Sequence, residues 1–243
     1  MAGSLLFGRM VLGRQELGIP HVSSSAASAA SVCSALPPTT TDPPSPSPGS
    51  PQISVPDIRY VDWAAVKAAG FRGCVFDKDN TITEPYALEV YQPLRDAMRD
   101  CLEVFDGKVV LLSNSAGLYQ YDPEGHEADR MEAQLGIKVL RHAEKKPAGA
   151  AHELEEHFAC PASEMVMVGD RYFTDVAYGN RHGMLTVRVQ PITLKGEKAT
   201  VRLSRSLEDT LVGRWSRGGS RAPAHELLKP GVLTRMVRAP GIW

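Results

Sequence analysis

The sequence predicts an α/β fold in which helices cover both faces of a doubly wound, Rossmann-like parallel sheet. Two observations support this prediction. Short apolar runs rich in β-branched residues alternate with helical stretches between about residues 56 and 190. These runs are apolar throughout, as expected of parallel strands that are buried on both faces and joined by right-handed crossovers.

The predicted strands are five short apolar runs, each preceded by a helical stretch. The strands are expected over residues 73–76, 109–112, 137–140, 165–168 and 185–189. The helices are expected over residues 62–69, 93–105, 125–135, 147–158 and 174–181. Ligands of such sheets bind at the carboxyl ends of the strands, near the switch in strand order. The residues that follow each strand are therefore the candidates for chemistry.

The overall charge excludes some classes of protein. The chain has 243 residues with 27 Lys and Arg against 28 Asp and Glu, a net charge of -1. Nucleic-acid binders usually carry a marked positive excess, so we expect no nucleic-acid partner. The four cysteines stand singly, which argues against a zinc site or a disulfide scaffold. No apolar run approaches the roughly 18 to 20 residues of a transmembrane helix, so we expect none.

Composition divides the chain into three predicted parts, over residues 1–54, 55–192 and 193–243. Residues 1–50 contain two acidic residues and two arginines and are rich in Ser, Ala, Thr and Pro, which predicts disorder. An acid-poor, Ser-rich leader is typical of an organelle transit peptide, for the chloroplast or alternatively the mitochondrion. A flexible tail or linker remains the other interpretation. Residues 55–192 form the predicted globular domain, and residues 193–243 a basic extension.

Polar residues cluster after four successive predicted strands. They are Asp77, Asp79 and Thr81 after the first, Ser113 and Asn114 after the second, Lys146 near the third, and Asp170 and Asp175 after the fourth. Four carboxylates meeting at one edge would repel one another and raise each other's pKa. A hard divalent cation is the expected compensation, and Mg²⁺ fits carboxylates plus a substrate phosphate. The other interpretation of the D-x-D-x-T segment is a simple strand-to-turn cap.

The order D-x-D-x-T, Ser, Lys, G-D-x-x-x-x-D resembles the haloacid dehalogenase-like phosphatase superfamily over roughly residues 70–190. The residues between the motif positions point to one family within this superfamily. The segments 76–81, 112–117, 146–147 and 169–175 look like those of the phosphatidylglycerophosphate phosphatases of mitochondria and plastids. The resemblance implies a phosphoric monoester hydrolase that forms an aspartyl-phosphate and converts phosphatidylglycerophosphate to phosphatidylglycerol in phospholipid biosynthesis.

The resemblance also implies roles at the reacting phosphorus. Asp77 would be the nucleophile. Asp79 would protonate the leaving alkoxide and then activate water. Thr81 would position the loop.

Other roles concern phosphate and metal. Ser113, Asn114 and Lys146 would bind the phosphoryl group, with Lys146 neutralising its charge. Asp170 would ligate Mg²⁺ and Asp175 would orient its water shell. The full expected metal set is Asp77, Asp79, Asp170 and Asp175.

Spacing predicts that this member has no cap domain. Only 31 residues separate Thr81 from Ser113, and 32 separate Ser113 from Lys146, enough for ordinary elements alone. An open site suits a phosphate carried by something large, such as a lipid head group or a protein. A phosphoprotein or small phosphomonoester is thus the alternative substrate. A phosphate-binding regulatory module is the non-enzyme alternative, disfavoured because every catalytic position is intact.

The C-terminal extension is locally basic. From Lys195 to Arg221 it has seven basic and three acidic residues, with apolar residues at helical spacing. One interpretation is an interfacial segment that docks on anionic lipid, which would place the enzyme at the surface of an inner organelle membrane. The other is a helix packed on the sheet with a solvated basic face. Residues 218–220 are predicted to be a linker to a weakly structured end.

Overall fold

A computed structural model describes residues 46–238 of the chain. They form an α/β fold around one six-stranded sheet in the order β1-β6-β5-β2-β3-β4. All neighbouring strands are parallel. The strands are β1 (Ile53–Val55), β2 (Gly73–Phe76), β3 (Val109–Leu111), β4 (Lys138–Val139), β5 (Met165–Gly169) and β6 (Leu185–Val189). The predicted fold class is therefore confirmed.

Helices cover both faces of this sheet. They are α1 (Trp63–Ala68), α2 (Arg95–Val104), α3 (His126–Leu135), α4 (His152–Phe158), α5 (Ala177–Arg181), α6 (Ala199–Arg217) and α7 (Val232–Arg235). A π-helical turn over Tyr172–Val176 leads into α5. Helix α4 begins five residues later than predicted, because residues 147–151 form turns after Lys146.

Two apolar clusters hold the sheet between its helical layers. On one face, Trp63 of α1 packs against Phe76 and Phe105, with ring centroids 5.8 and 6.4 Å apart. On the other face, Phe158 and Tyr178 lie among the methionines of β5. Met165 and Met167 are both buried, as expected of the buried strand predicted over residues 165–168.

The order of the strands sets the position of the site. From the central β2 the chain builds outward through β3 and β4, then returns to the other side of β2 with β5 and β6. The switch in strand order therefore falls between β2 and β5, whose carboxyl ends lie side by side. A crevice at that point is where open α/β sheets bind ligands.

The ordered sheet begins before the predicted boundary at residue 55. Strand β1 pairs Ile53 with Val187 of β6, and Asn180 donates hydrogen bonds of 2.8 Å to the carbonyl oxygens of Pro48 and Ser50. The expectation of disorder through residue 54 is thus wrong for residues 46–54. Three residues of an edge strand after a Pro/Ser-rich run give too weak a pattern to be detected. The predicted leader over residues 1–45 lies outside the described residues.

The C-terminal extension is also part of the fold. Helix α6 packs on the π-helical turn, and Phe173 contacts Trp215 with ring centroids 5.8 Å apart. Further on, Met236 is buried, and its carbonyl accepts a hydrogen bond of 2.8 Å from the amide of Asp62. Residues 218–231 contain neither helix nor strand, whereas residues 232–238 include α7 and a bridge to Val61, so the expectation of a weakly structured end is wrong for residues 232–238. Among residues 46–238, none of the helices has the length and apolar character needed to cross a membrane.

Candidate active site

Three carboxylates meet at the switch between β2 and β5. Asp77 follows β2, Asp170 follows β5, and Asp175 lies in the π-helical turn. One oxygen from each lies within 4.8 Å of the others. Crowded carboxylate oxygens are the donor set that divalent cations prefer. Among the described residues, this cluster is the candidate site for a divalent cation.

The backbone after β5 brings Asp175 to the cluster. Its Oδ2 accepts a hydrogen bond of 3.1 Å from the amide of Arg171, and the carboxyl group packs directly against Gly169. A Cβ on Gly169 would lie 2.3 Å from the side chain of Asp175. Glycine at this position is therefore a steric requirement of the site.

Lys146 bridges two of the carboxylates. Its Nζ donates hydrogen bonds of 2.8 Å to Asp77 Oδ1 and 2.7 Å to Asp175 Oδ1, and the side chain is almost fully buried. The side chain of Asn114 fixes the backbone of Lys146 through two hydrogen bonds. Its Oδ1 accepts a hydrogen bond of 2.8 Å from the Lys146 amide, and its Nδ2 donates to the Lys146 carbonyl at 3.3 Å. The side chain of Asn114 thus positions Lys146, and the phosphate contact that the resemblance implies for Asn114 stays a prediction.

Burial and mutual repulsion govern the electrostatics of the cluster. Burial, with the charge of Asp175 added, raises the pKa of Asp77 to about 6 even though Lys146 opposes the shift. Burial and the charges of Asp77 and Asp175 raise the pKa of Asp170 to about 7. Burial alone would lower the pKa of Lys146, but its two carboxylate neighbours outweigh burial and raise it. The site therefore holds a charged lysine among carboxylates that resist full ionisation.

Asp79 and Thr81 differ from their predicted environments. The carboxylate of Asp79 is not among the three that gather at the cation site. It pairs with Lys78 Nζ at 2.5 Å and accepts a hydrogen bond of 2.8 Å from the amide of Tyr86. The hydroxyl of Thr81 is buried without a hydrogen-bond partner among the described residues. The backbone amide of Thr81 donates a hydrogen bond of 3.3 Å to the Lys78 carbonyl, and the loop-positioning role of Thr81 stays a prediction.

Asn80 and Thr83 also hold the loop after β2. Asn80 has a left-handed backbone with φ of 64°, and its amide donates to the Thr83 carbonyl at 2.8 Å. Its side chain accepts from the amide of Thr193 at 3.0 Å and donates to Glu197 Oε1 at 2.6 Å. A loop after β2 is thus tied to the segment that precedes α6. Asn80 was not among the predicted site residues, although asparagine is a frequent residue at positive φ.

Ser113 borders the crevice near these groups. Its hydroxyl lies 3.1 Å from that of Ser115 and accepts a hydrogen bond of 3.2 Å from the Ser115 amide. The buried side chain of His142 connects two loops. One of its ring nitrogens lies 2.8 Å from the carbonyl oxygen of Ser113, and the other lies 2.8 Å from the carbonyl oxygen of Glu144. His142 is a positioning residue that its isolated place in the sequence did not reveal.

Helix α6 supplies charged groups to the site that the sequence analysis missed. Arg205 donates a hydrogen bond of 2.6 Å to Asp170 Oδ2 and another of 2.6 Å to Glu197. Glu208 pairs with Arg171 and accepts a hydrogen bond of 3.0 Å from the amide of Tyr172. The spacing of these residues on one helical face, opposite an acidic site, was the available signal. The predicted basic extension is therefore part of the active-site wall.

Two further groups border the entrance of the crevice. Tyr86 lines it with its ring largely exposed. Lys145 lies over the Tyr121 ring, 4.3 Å from the centroid, and donates to the phenol oxygen at 2.6 Å. Between Asp77 and Asp175 the described chain carries only α2, α3, α4 and their strands, so no cap is inserted. Helix α6, rather than a cap, forms one side of the crevice.

A parallel α/β sheet with carboxylates, a lysine and a serine at its switch point defines a phosphatase-like site of the haloacid dehalogenase type. Comparison with known proteins agrees. The family model described as mitochondrial PGP phosphatase matches residues 44–193. The chain therefore belongs to the phosphatidylglycerophosphate phosphatase family.

Individual relatives are also named as phosphatidylglycerophosphate phosphatases. The chain is 58% identical over 180 residues to phosphatidylglycerophosphate phosphatase 1, chloroplastic, of Chlamydomonas reinhardtii, covering 74% of this chain and 67% of that protein. It is 48% identical over 182 residues to the chloroplastic/mitochondrial phosphatidylglycerophosphate phosphatase 1 of Arabidopsis thaliana, covering 75% of this chain and about half (52%) of that one. A probable mitochondrial phosphatidylglycerophosphatase of Schizosaccharomyces pombe is 33% identical, over 46% of this chain and 56% of its own.

Proposed function

We propose that this protein hydrolyses the terminal phosphomonoester of phosphatidylglycerophosphate, releasing phosphatidylglycerol and inorganic phosphate. The observation that carries the proposal is the ion-paired cluster of Asp77, Asp170, Asp175 and Lys146 at the switch point, in a chain of this family. The absence of an inserted cap leaves the crevice open to a head group that projects from a bilayer.

We propose Mg²⁺ as the cation. Asp77, Asp170 and Asp175 offer only hard oxygen donors, and burial together with the neighbouring carboxylates raises the pKa values of Asp77 and Asp170, which supports a cation at this site. When bound, Mg²⁺ would neutralise charge on the phosphoryl oxygens. The carboxylate of Asp79 pairs with Lys78 and is left out of this ligand set.

In the first step Asp77 is the nucleophile. One of its carboxylate oxygens attacks phosphorus in line, and the bond from phosphorus to the glycerol oxygen breaks. Asp79, oriented by Lys78 and the amide of Tyr86, gives its proton to the leaving alkoxide. The products are an aspartyl-phosphate and the lipid alcohol.

In the second step water releases the phosphate. Asp79, now ionised, takes a proton from a water that attacks phosphorus, and the bond to the Asp77 oxygen breaks. Lys146 neutralises the phosphoryl oxygens in both steps, and the Ser113 hydroxyl donates a hydrogen bond to them. Asn114 acts through the Lys146 backbone, and Thr81 contributes only its place in the loop.

The names of the relatives support a chloroplast location, with the mitochondrion as the alternative. A transit peptide that ends before residue 46 remains part of the proposal. Because the acyl chains of the substrate stay in a bilayer, the enzyme must act at a membrane surface. We assign that peripheral contact to the basic C-terminal segment, on the surface of an inner organelle membrane.

The test measures phosphate release by the full chain from three substrates: phosphatidylglycerophosphate in mixed micelles, a phosphopeptide, and small soluble phosphomonoesters. Each is assayed in Mg²⁺ and then in EDTA. We expect the lipid to be the best substrate and EDTA to abolish its turnover. A higher kcat/KM for the phosphopeptide or the soluble esters would contradict the substrate assignment, and turnover that persists in EDTA would contradict the cation.

A further inference from the structure

Helix α6 buries charged residues and exposes leucines, which is unusual for a surface helix. Its inward side carries the buried charges of Arg205 and Glu208 beside the buried Val212. Its outward side carries Leu203, Leu207 and Leu211, which are 65%, 56% and 40% exposed. Their spacing of four residues places them on one face. A surface helix normally buries its leucines and solvates its charges, so the exposed stripe requires an explanation.

The inward charges fix the helix in this orientation. Arg205 is held by Asp170 and Glu197 at 2.6 Å each, and Glu208 by Arg171. Rolling the helix to bury the leucines would leave these charges unpaired, which is costly. The leucines therefore remain outside because the active site requires the opposite face.

The surroundings of the stripe are positively charged. Leu194, just before the helix, is also 49% exposed. The exposed charged residues from residue 195 to residue 221 comprise six cations and one acid: Lys195, Lys198, Arg202, Arg214, Arg217, Arg221 and Asp209. The acidic residues that balanced this segment in the sequence, Glu197 and Glu208, are used in buried ion pairs. The outer face is thus more basic than the sequence suggests.

The same helix borders the active-site crevice. Lys198, Val201 and Arg205, from its first two turns and the preceding residue, line the crevice together with Asp77 and Asp170. A partner bound to the outer face of α6 would therefore lie next to the entrance of the crevice that leads to Asp77.

We infer that the outer face of α6 docks on an anionic bilayer, with the leucine stripe at the acyl boundary and the flanking cations among the head groups. Apolar residues flanked by Lys and Arg are the pattern of an interfacial helix, and anionic lipid complements the charge. The inference rests on the proposed function for the identity of the substrate, whereas the docking itself is measurable without turnover.

The test is co-sedimentation of the full chain with vesicles of phosphatidylcholine, with and without phosphatidylglycerol. The test variant is Leu203→Gln/Leu207→Gln/Leu211→Gln, since Gln keeps a good helix propensity. The matched control is Ser206→Gln/Thr210→Gln, two exposed polar positions of the same helix. We expect the wild type and the control to bind anionic vesicles and the leucine variant to bind about tenfold more weakly or worse. Binding of all three should fall without phosphatidylglycerol.

Turnover separates docking from folding and from the proposed function. We expect the leucine variant to lose activity on the lipid in vesicles while its activity on a soluble phosphomonoester stays within about twofold of wild type. Unchanged vesicle binding by the leucine variant would overturn the inference. So would a wild-type dimer that the substitutions convert to monomer, because a second copy would then cover the stripe. Vesicle binding without any hydrolysis of the lipid would contradict the proposed function alone.

Discussion

Lys146 illustrates how single residues set the chemistry of the site. Its ammonium is buried between Asp77 and Asp175, so each of the three charges depends on the others for compensation. Removing one member of such a buried set leaves an uncompensated charge and is strongly destabilising. Substitutions within the set therefore affect folding as well as catalysis, and neighbouring residues are better probes of geometry.

Gly169→Ala is such a probe. The added Cβ would lie 2.3 Å from Asp175, which must move away from Lys146 and the cation site. We expect a fall in kcat of about 100-fold and a loss of about 1–3 kcal/mol in the free energy of unfolding. Steady-state assay and urea denaturation measure the two effects.

Gly213→Ala is its control. Gly213 lies inside α6 and a Cβ there meets no atom within 4 Å, so we expect unchanged turnover and equal or greater stability. Equal activity of the two alanine variants would contradict the close packing of Asp175 on Gly169.

The sequence could locate the site residues but not all their partners. The positions of Asp77, Ser113 and Asp170 follow from strand ends in a parallel sheet, which short apolar runs identify well. Side-chain direction does not follow from spacing. The carboxylate of Asp79 is therefore paired with Lys78, outside the cation cluster.

At the scale of secondary-structure elements, Asp122 joins α3 to the loop after β3. Its carboxylate accepts hydrogen bonds from the amides of Gly117 and Ala128 at 2.9 Å and of Glu127 at 3.1 Å. Burial alone would raise the pKa of Asp122, but the three amides outweigh it and hold the pKa below its usual value. The ionised form is therefore bound more tightly in the folded state than in the unfolded state.

Asp122→Asn should show this linkage as a pH dependence of stability. We expect a loss of about 1–3 kcal/mol in the free energy of unfolding at pH 7, since the amide cannot accept all three bonds. A carboxyl with a depressed pKa stabilises above its unfolded value and loses that contribution as pH falls through the folded value. The difference between variant and wild type should thus shrink below about pH 4. A difference that stays constant from pH 7 to pH 3.5 in urea denaturation would contradict this account.

Glu208→Gln tests the attachment of α6. The change leaves Arg171 without its buried partner and weakens the turn that carries Asp175. We expect a loss of about 2–4 kcal/mol in the free energy of unfolding and a lower kcat. Asp209→Asn, on the exposed side of the same helix and 3.8 Å from Arg188, is the control and should change stability by less than about 0.5 kcal/mol. Similar losses in both variants would show that the buried Arg171–Glu208 pair contributes no more to stability than the exposed Arg188–Asp209 pair.

Sequence reasoning predicted α6 as a helix-forming segment but not its orientation. A face with Arg205 and Glu208 normally reads as solvated, and leucines as buried. The tertiary environment reverses both, because the carboxylates at the end of β5 attract the arginine and the π-helical turn offers Arg171 to the glutamate.

On the scale of the whole molecule, one sheet with its helices gathers the site from segments more than 100 residues apart. Asn80 after β2 bonds Glu197 before α6, and the bridge between Val61 and Val237 returns the C-terminal segment to α1. The central parallel strands were predictable from their apolar runs. The edge strand β1 and the return of the tail were not, because both depend on pairing between distant segments with little local pattern.

The most direct test of the central claim is phosphate release from phosphatidylglycerophosphate by Asp77→Asn, compared with wild type in Mg²⁺. The substitution keeps the size of the side chain and replaces the attacking carboxylate with an amide. Loss of the ion pair with Lys146 should lower the urea midpoint, so a cooperative unfolding transition above the urea-free assay condition establishes that the variant is folded. We predict a fall in kcat of about 10³-fold or more. A folded variant that releases phosphate within about tenfold of the wild-type rate would contradict Asp77 as the nucleophile.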